Sequence, residues 1–588
     1  MSAPGVAGAI VSVGGRDVDP TVASRLVDVV VDCQLRMPDR VSLRYFDFQR
    51  ALMDGKTFPL GKPLKVVLGS AERNEAATVF DGLITGLEPE FTRHGVTLLV
   101  HGLDRAQLLQ RTPRTATYQQ MTYGQIATQL AASADLSAAD ISPGLLLPFV
   151  QQSNESDWDF LWRLALEVDY QVKVSGTELS FSAAAKLQAK VTRLTWGESL
   201  IAFRPRVSGV QQAQSVTLRG WDPATAQAIE ASASAPSPES RIGVSRDQVL
   251  QAMGNPQATV VDHPVMSLEH ATSIASSVAA QMASICVEGE GTAQGTPGLI
   301  VGSQARVEKV GSAFSGVYAV TGVRHRYRAR TGYRTDFSIR GRADRSLLGL
   351  TRAPQRAGWR RRIAVGVVTD KTDPEKLGRV RVRYPTLGND HAGWWARVLA
   401  PGSGAGRGFF SLPQVGDEVL VAFEHESDQH PYVLGSVFNG PGAPGAVVQP
   451  DGAFTLATPS HVSIDAAKQA EITTKDTFTL TASASARLTT KPPPAQSEGE
   501  GAGAGSQAKP PAGAIELDAK GALTLSGQTG ASISSEQAAT LSAKSGVTIS
   551  GGQRVQISAD GTISISGATI SITADQAVRI SASQIILG

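Results

Sequence analysis

The chain has 588 residues, 41% of them hydrophobic, and 55 Lys and Arg stand against 53 Asp and Glu for a formal net charge of +2. That length exceeds one ordinary domain of about 100–200 residues, and the balance excludes a chain-wide electrostatic draw toward nucleic acid or an anionic membrane. No run reaches the ~18 apolar residues of a membrane-spanning helix, and 59 glycines among short alternating runs of Val, Ile, Thr and Ser favour a mainly β fold.

The opening MSAPGVAGAIVSVGG lacks a basic stretch followed by a sustained apolar one. Synthesis in the cytoplasm, without the ordinary secretory route, is the expectation. Residues 1–105 alternate strand-like runs ("VDVVVDCQL", "LKVVLGS", "GVTLLVHGLD") with turns, as a β-barrel or small β-sandwich does. Within 106–195 the period changes. "MTYGQIATQLAAS" puts Ile126 and Leu130 four apart behind Thr122 as N-cap, and "NESDWDFLWRLALEV" sets Trp158, Leu161 and Ala165 on one face with Phe160, Leu164 and Val168 beside them. Two helices inserted into a β domain are expected there. Residues 196–350 return to strands around one helix after Ser267, with apolar positions 271, 274, 275, 278, 282 and 285.

TRAPQRAGWRRR, residues 351–362, carries five arginines, a proline and no acid, which makes a solvated linker or a contact to an acidic neighbour. A phosphate site there would want more aromatic platforms than Trp359 alone. Residues 363–440 hold five strand candidates, "IAVGVVTD", "GRVRVRYP", "WWARVLA", "DEVLVAFE" and "PYVLGSVF", which suit a small closed OB-type barrel.

An internal repeat follows, in 447–490 and again in 514–588. Apolar-x-apolar pairs begin at Phe454, Val462, Ala470, Phe478 and Ala486, then from Ile515 to Ile563 in steps of eight, and at Ile570, Val578 and Ile585 with two steps of seven. Between the arrays, residues 491–513 are rich in Pro, Gly and Ala and cannot bury a core.

In each octad a triplet such as Ile563-Ser564-Ile565 points both aliphatics to one face. Burying the pair gains about 4 kcal/mol, against about 8–16 kcal/mol of backbone entropy for eight residues. A single octad therefore needs hydrogen-bonded strands on both sides. Three parallel chains supplying one side each satisfy this as an intertwined β-prism, with Ile549, Ile557, Ile563, Ile565, Ile570, Ile572 and Ile580 on the axis; a single-chain β-solenoid with wider coils, or amyloid-like low complexity, are the alternatives.

Constellations for chemistry are absent from the sequence. There is no GxxxxGK[ST], HExxH or GxSxG, and GSGAGRG (402–408) fails the GxGxxG spacing because Arg407 or Phe409 stands where the third glycine belongs. His425 and His430, near Glu424, Glu426 and Asp428, read as a polar hairpin and not a metal set. His325 in "GVRHRYRAR" is either a barrel-face or an interface histidine. Cys33 and Cys286 read as buried free thiols. No catalytic, cofactor or metal residue is assigned, no cofactor is expected, and the chain is read as structural and not an enzyme.

"LGRVRVRYP", "WWARV" and "LPQVGDEVLVAFEHESDQHPYVLGSVFNG" resemble the spike proteins of contractile injection systems, the VgrG family and the baseplate spikes of contractile phage tails. The likeness rests on Gly378, Arg379, Val380, Tyr384, Trp394 and Trp395, and further on Pro413, Gly416, Asp417, Val419, Pro431, Val433, Gly435 and Asn439. "SDWDFLWRLA" and "GSAFSGVYAVTGVRHRYRARTGYRTDF" resemble the hub of that family. The resemblance implies a mainly β homotrimer: a hub of two β-barrels with inserted helices, an OB-fold neck, and a C-terminal triple-stranded intertwined β-helix as membrane-piercing needle. It implies a hexameric inner tube protein, baseplate proteins and a PAAR-type tip protein as partners, effector cargo carried elsewhere, and a target membrane met during injection, with no nucleic acid. The particle is assembled in the cytoplasm and expelled by sheath contraction, so that the spike acts outside the cell or in a target cell. With the chain ending at Gly588, an unarmed spike is expected, its tip surface Gln584, Ile585, Ile586, Leu587 and Gly588. A type VI secretion spike, or a needle-borne cell-wall hydrolase or toxin, are the alternatives.

Overall fold

The computed structural model describes residues 8–70, 75–183, 191–236, 239–265, 267–342, 363–387, 393–404, 408–439 and scattered positions between 462 and 584. Two compact units divide the chain, Met1–Ala457 and Thr458–Gly588.

In the first unit one eleven-stranded sheet links early and late sequence. Strand Leu26–Gln34 pairs antiparallel with Arg40–Phe46 on one side and with Gly322–Arg328 on the other, Val31 facing His325. Alternation explains the strand: Val29, Val31 and Cys33 are buried while Asp28 and Asp32 face outward. Beyond it the sheet runs through Gly95–Asp104, Glu75–Thr92 and Pro63–Ser70 to Gly8–Val13, and in the other direction through Gly332–Ile339 and Val287–Gln294 to Leu200–Val207. Two cores lie along this sheet. One holds Val29, Leu43, Tyr45 and Leu64; the other holds Leu194, Val307, Tyr318 and Phe337.

The inserted part has its own core of Tyr123, Ile126, Trp158, Phe160, Leu161 and Phe181. Both expected helices form, Tyr123–Ser133 and Asp157–Glu167. Thr122 and Gln125 close a reciprocal capping box (3.2 and 2.8 Å), and Ser156 caps the second helix, with Asp157 and Asp159 favourably placed at its positive end. The third helix, Leu268–Ser284, is capped by Ser267 and packs on strands Ser215–Asp222 and Gln227–Ser234. A fourth helix, Arg246–Ala252, was not anticipated. Its Ser245–Gln248 capping box was the available signal.

All five strand candidates of the OB region form: Ile363–Asp370, Arg379–Arg383, Trp394–Val398, Glu418–Phe423 and Pro431–Ser436 close into a barrel. Val368, Val380, Val382, Ala396, Val419 and Val433 fill it. Gly393 is required by close approach, since a Cβ there would sit 1.8 Å from the Val382 carbonyl oxygen. Gly378 takes φ +73 at the turn into the second strand.

In the second unit no strand pairing is found among the described residues. Ile557, Ile563, Ile565, Ile570 and Ile572 are 49–67% exposed in the single chain.

Candidate functional site

The barrel that ends the first unit is tied to the inserted part through side chains. The loop entering its second strand is organised by Asp373, whose carboxylate accepts from the Leu377 and Glu375 backbone N–H groups and from Arg379 Nη2 at 2.8 Å. Arg379 is therefore a buried, fully engaged cation, with Glu375 as a second partner at 2.9 Å. Its neighbour Arg381 donates to Gln119 Oε1 at 3.1 Å, and Trp394 stacks on Phe149 with ring centroids 5.1 Å apart. Both contacts cross from the barrel to the strands of the inserted part. The residues carrying the resemblance thus divide between the barrel core (Val380, Tyr384, Val419, Val433) and its turns and seam. Asp417 accepts from the Gln414 N–H, Gly416 takes φ +96, and Asn439 donates to Glu418.

A cleft of about 480 Å³ opens along this seam. Its walls are Trp394, Trp395 and Tyr432 from the barrel, Leu145–Pro148 from the inserted part, and Trp221 with the start of helix Leu268–Ser284 from the second β part. His270 lines it, its Nε2 3.9 Å from the Glu167 carboxylate, to which Tyr123 donates at 2.7 Å. Sequence reasoning missed this cleft, because its lining comes from six separated stretches.

Several titratable groups are enclosed by packing. His325 faces the core, where burial lowers its ring to a pKa of about 4 and Nδ1 shares a 2.7 Å hydrogen bond with the Tyr333 hydroxyl. The two open readings of His325 resolve to the core-facing one. His430 hydrogen-bonds Ser427 through Nδ1 at 3.0 Å; burial lowers it too to about 4, and its Nε2 has no partner. His425, in contrast, is exposed. Both cysteines are buried and free. Unforeseen was a pair of enclosed carboxyls, Asp39 and Asp104, near Cys33. Burial pushes both upward, and the Asp39 charge adds to the rise at Asp104. Among the described residues no three His, Cys, Asp or Glu side chains come together as a metal set, and no helix is long and apolar enough to cross a membrane.

Of the residues expected on a trimer axis, Ile557, Ile563, Ile565, Ile570 and Ile572 present open aliphatic surface. Ile549 and Ile580 lie outside the described residues, as do Ile585, Ile586, Leu587 and Gly588 of the expected tip; Gln584 is described and exposed.

Two family models match separate parts of the chain. Residues 24–329, just over half the chain, match the model described as Alg8 N-terminal domain. Residues 364–438 match the type VI secretion system/phage-baseplate injector OB domain. The actin cross-linking toxin VgrG1 of Vibrio cholerae serotype O1 is 28% identical over 74 residues, 12% of this chain and only 7% of the toxin's length. Among solved structures, the E. coli type VI secretion component c3393 is 15% identical with TM-score 0.45, covering 73% of this chain and 99% of its own. A 43 kDa prophage MuSo2 tail protein from Shewanella oneidensis is 17% identical with TM-score 0.43, over 56% and 97%. The Francisella PdpA–VgrG complex gives 7% identity and TM-score 0.42, over 74% and 78%.

Proposed function

The chain belongs to the Alg8 N-terminal domain family and to the VgrG and contractile phage-tail spike family, and from that premise we propose that it is the structural trimeric spike of a contractile injection system. Three copies form the hub through residues 1–350, the neck through the OB barrel, and the needle through the octads. The observation that carries this reading is the contrast along the chain. An injector-type OB barrel with a complete core precedes a repeat whose isoleucines stand exposed in one copy. A surface so regularly aliphatic is costly in water and is relieved by association with identical surfaces.

In the assembled particle the hub meets a hexameric inner tube and baseplate proteins, and the tip residues 584–588 meet a PAAR-type cap. Sheath contraction drives tube and spike outward and through a target membrane. The role is mechanical: it uses rigidity and association in place of a reaction. Light scattering on the full chain at micromolar concentration is expected to give three times the monomer mass; a monomer that keeps its β signal would overturn the three-chain needle.

A type VI secretion spike is the second reading, favoured by the description of the OB family, which covers both type VI and phage-baseplate injectors. Imaging separates the two, since a free tail-like particle and a membrane-docked machine differ at a glance. A needle-borne hydrolase would instead clear peptidoglycan suspensions, and the purified chain is expected to leave them turbid.

A further inference from the structure

The seam cleft has a chemistry that neither the barrel core nor the needle uses. We propose that it is a docking groove for a proline-rich, lysine-bearing segment of a partner protein.

The aromatic walls come first. Trp394 is fixed from behind by its stack on Phe149, tilted by only 15°. The Arg379 guanidinium lies 6.0 Å from the Trp395 ring, and that of Arg397 lies 5.2 Å from the Tyr432 ring. Arg397 donates to Tyr432 Oη at 3.0 Å, and Tyr432 in turn donates to Glu424 at 2.8 Å. These rings are held before any ligand arrives, so little side-chain entropy is lost on binding. Trp221 completes the wall from a different strand pair and is half exposed.

The second feature is an excess of hydrogen-bond donors. Among the described residues no hydrogen bond occupies the indole N–H of Trp221, Trp394 or Trp395, and Arg397 pairs with no carboxylate. Proline has no N–H, so a proline-rich segment in its extended helix offers carbonyl acceptors and apolar rings, with its backbone carbonyls unbonded. Donor-rich aromatic grooves recognise such segments for that reason.

Charge then selects the flanking residue. Asp222, Glu269, Glu375 and Glu424 line the cleft against Arg379 and Arg397. Arg379 is already spent on Asp373 and Glu375, while Glu269 has no ion-pair partner among the described residues. The surplus is acidic, and a lysine beside the prolines meets it. The volume, about 480 Å³, falls within the range of ordinary ligand pockets.

The test uses the full chain and a fluorescein-labelled Ala-Pro-Pro-Lys-Pro-Pro-Ala peptide, read by fluorescence anisotropy. Saturable binding is expected, about tenfold weaker for the peptide with Glu in place of Lys, a difference of about 1.4 kcal/mol. A peptide with alanine for every proline should bind equally poorly. Trp221→Ala, at an exposed position, should lose at least about tenfold in affinity with an unchanged melting temperature, and Glu269→Gln about threefold at low salt, vanishing at high salt. Absence of saturable binding, indifference to the proline or lysine replacements, or full affinity in both variants would each overturn the proposal. Should Trp221→Ala fail to fold, Glu269→Gln and the peptide replacements still decide it.

Discussion

The OB barrel and the octad array are both β-type sequence rich in Val and Ile, yet they solve burial differently. In the barrel Val380, Val382, Val419, Val421 and Val433 are completely buried by a sheet that closes on itself. In the array Ile565 and Ile572 are each 67% exposed. Five strands joined by short turns in one chain can supply every hydrogen-bond partner and cover every apolar face. A repeat of eight residues supplies one side of a layer and leaves the rest to be found elsewhere. The difference teaches where association matters on the proposed three-chain reading: stability of the first unit is then intramolecular, and order in the second depends on concentration.

The largest expected effect breaks that comparison on the octad side. Ile565→Asp places an unpaired charge at the expected axis and should cost several kcal/mol per chain, abolishing association by light scattering while the near-ultraviolet circular dichroism of the first unit persists. On the other side, Leu161→Ala in the fully buried core of the inserted part should cost about 3 kcal/mol in denaturant midpoint, with no dependence on protein concentration. If that loss varied with concentration, the first unit would not be self-sufficient.

Acid should sharpen the contrast next. His325 is neutral when folded, with a pKa near 4 against an ordinary value of 6.5. The unfolded chain therefore binds the proton first, and stability falls as pH drops from about 6.5 to about 4, by up to about 3 kcal/mol from this residue. Melting curves across that window should show the slope, and His325→Gln should flatten it. The smallest effect has the opposite sign. Asp39 and Asp104 hold protons more tightly folded than unfolded, so the wild type loses stability as pH rises through their raised values. Asp104→Asn keeps an acceptor for the Ala106 N–H and should gain about 1 kcal/mol near pH 9, with the gain shrinking toward pH 5.

Local signals account for what was legible beforehand. Thr122 and Ser267 announced their helices because an N-cap acts within three residues of itself, and the spacing of Trp158, Leu161 and Ala165 announced the helix between them, whose Ser156 cap only the structure showed. The five barrel strands were legible because alternation and turn chemistry are equally local. Arg246–Ala252 escaped despite its capping box, since seven residues show too little periodicity to stand out. The resemblance extended local signals to a family, and the match over residues 364–438 falls on the same barrel.

By itself the sequence determined the mainly β character, the helices of the insert, the OB barrel and the eight-residue beat, all of which are written in spacing between near neighbours. Only the tertiary structure decided that Leu26–Gln34 pairs with Gly322–Arg328 some three hundred residues away, that Asp39 and Asp104 share a buried site, and that Trp221, Trp394 and Tyr432 line one cleft. The physical reason is range. Propensity, capping and alternation act over a few residues, whereas pairing across a sheet and the meeting of side chains at a seam depend on how the whole first unit closes around its cores.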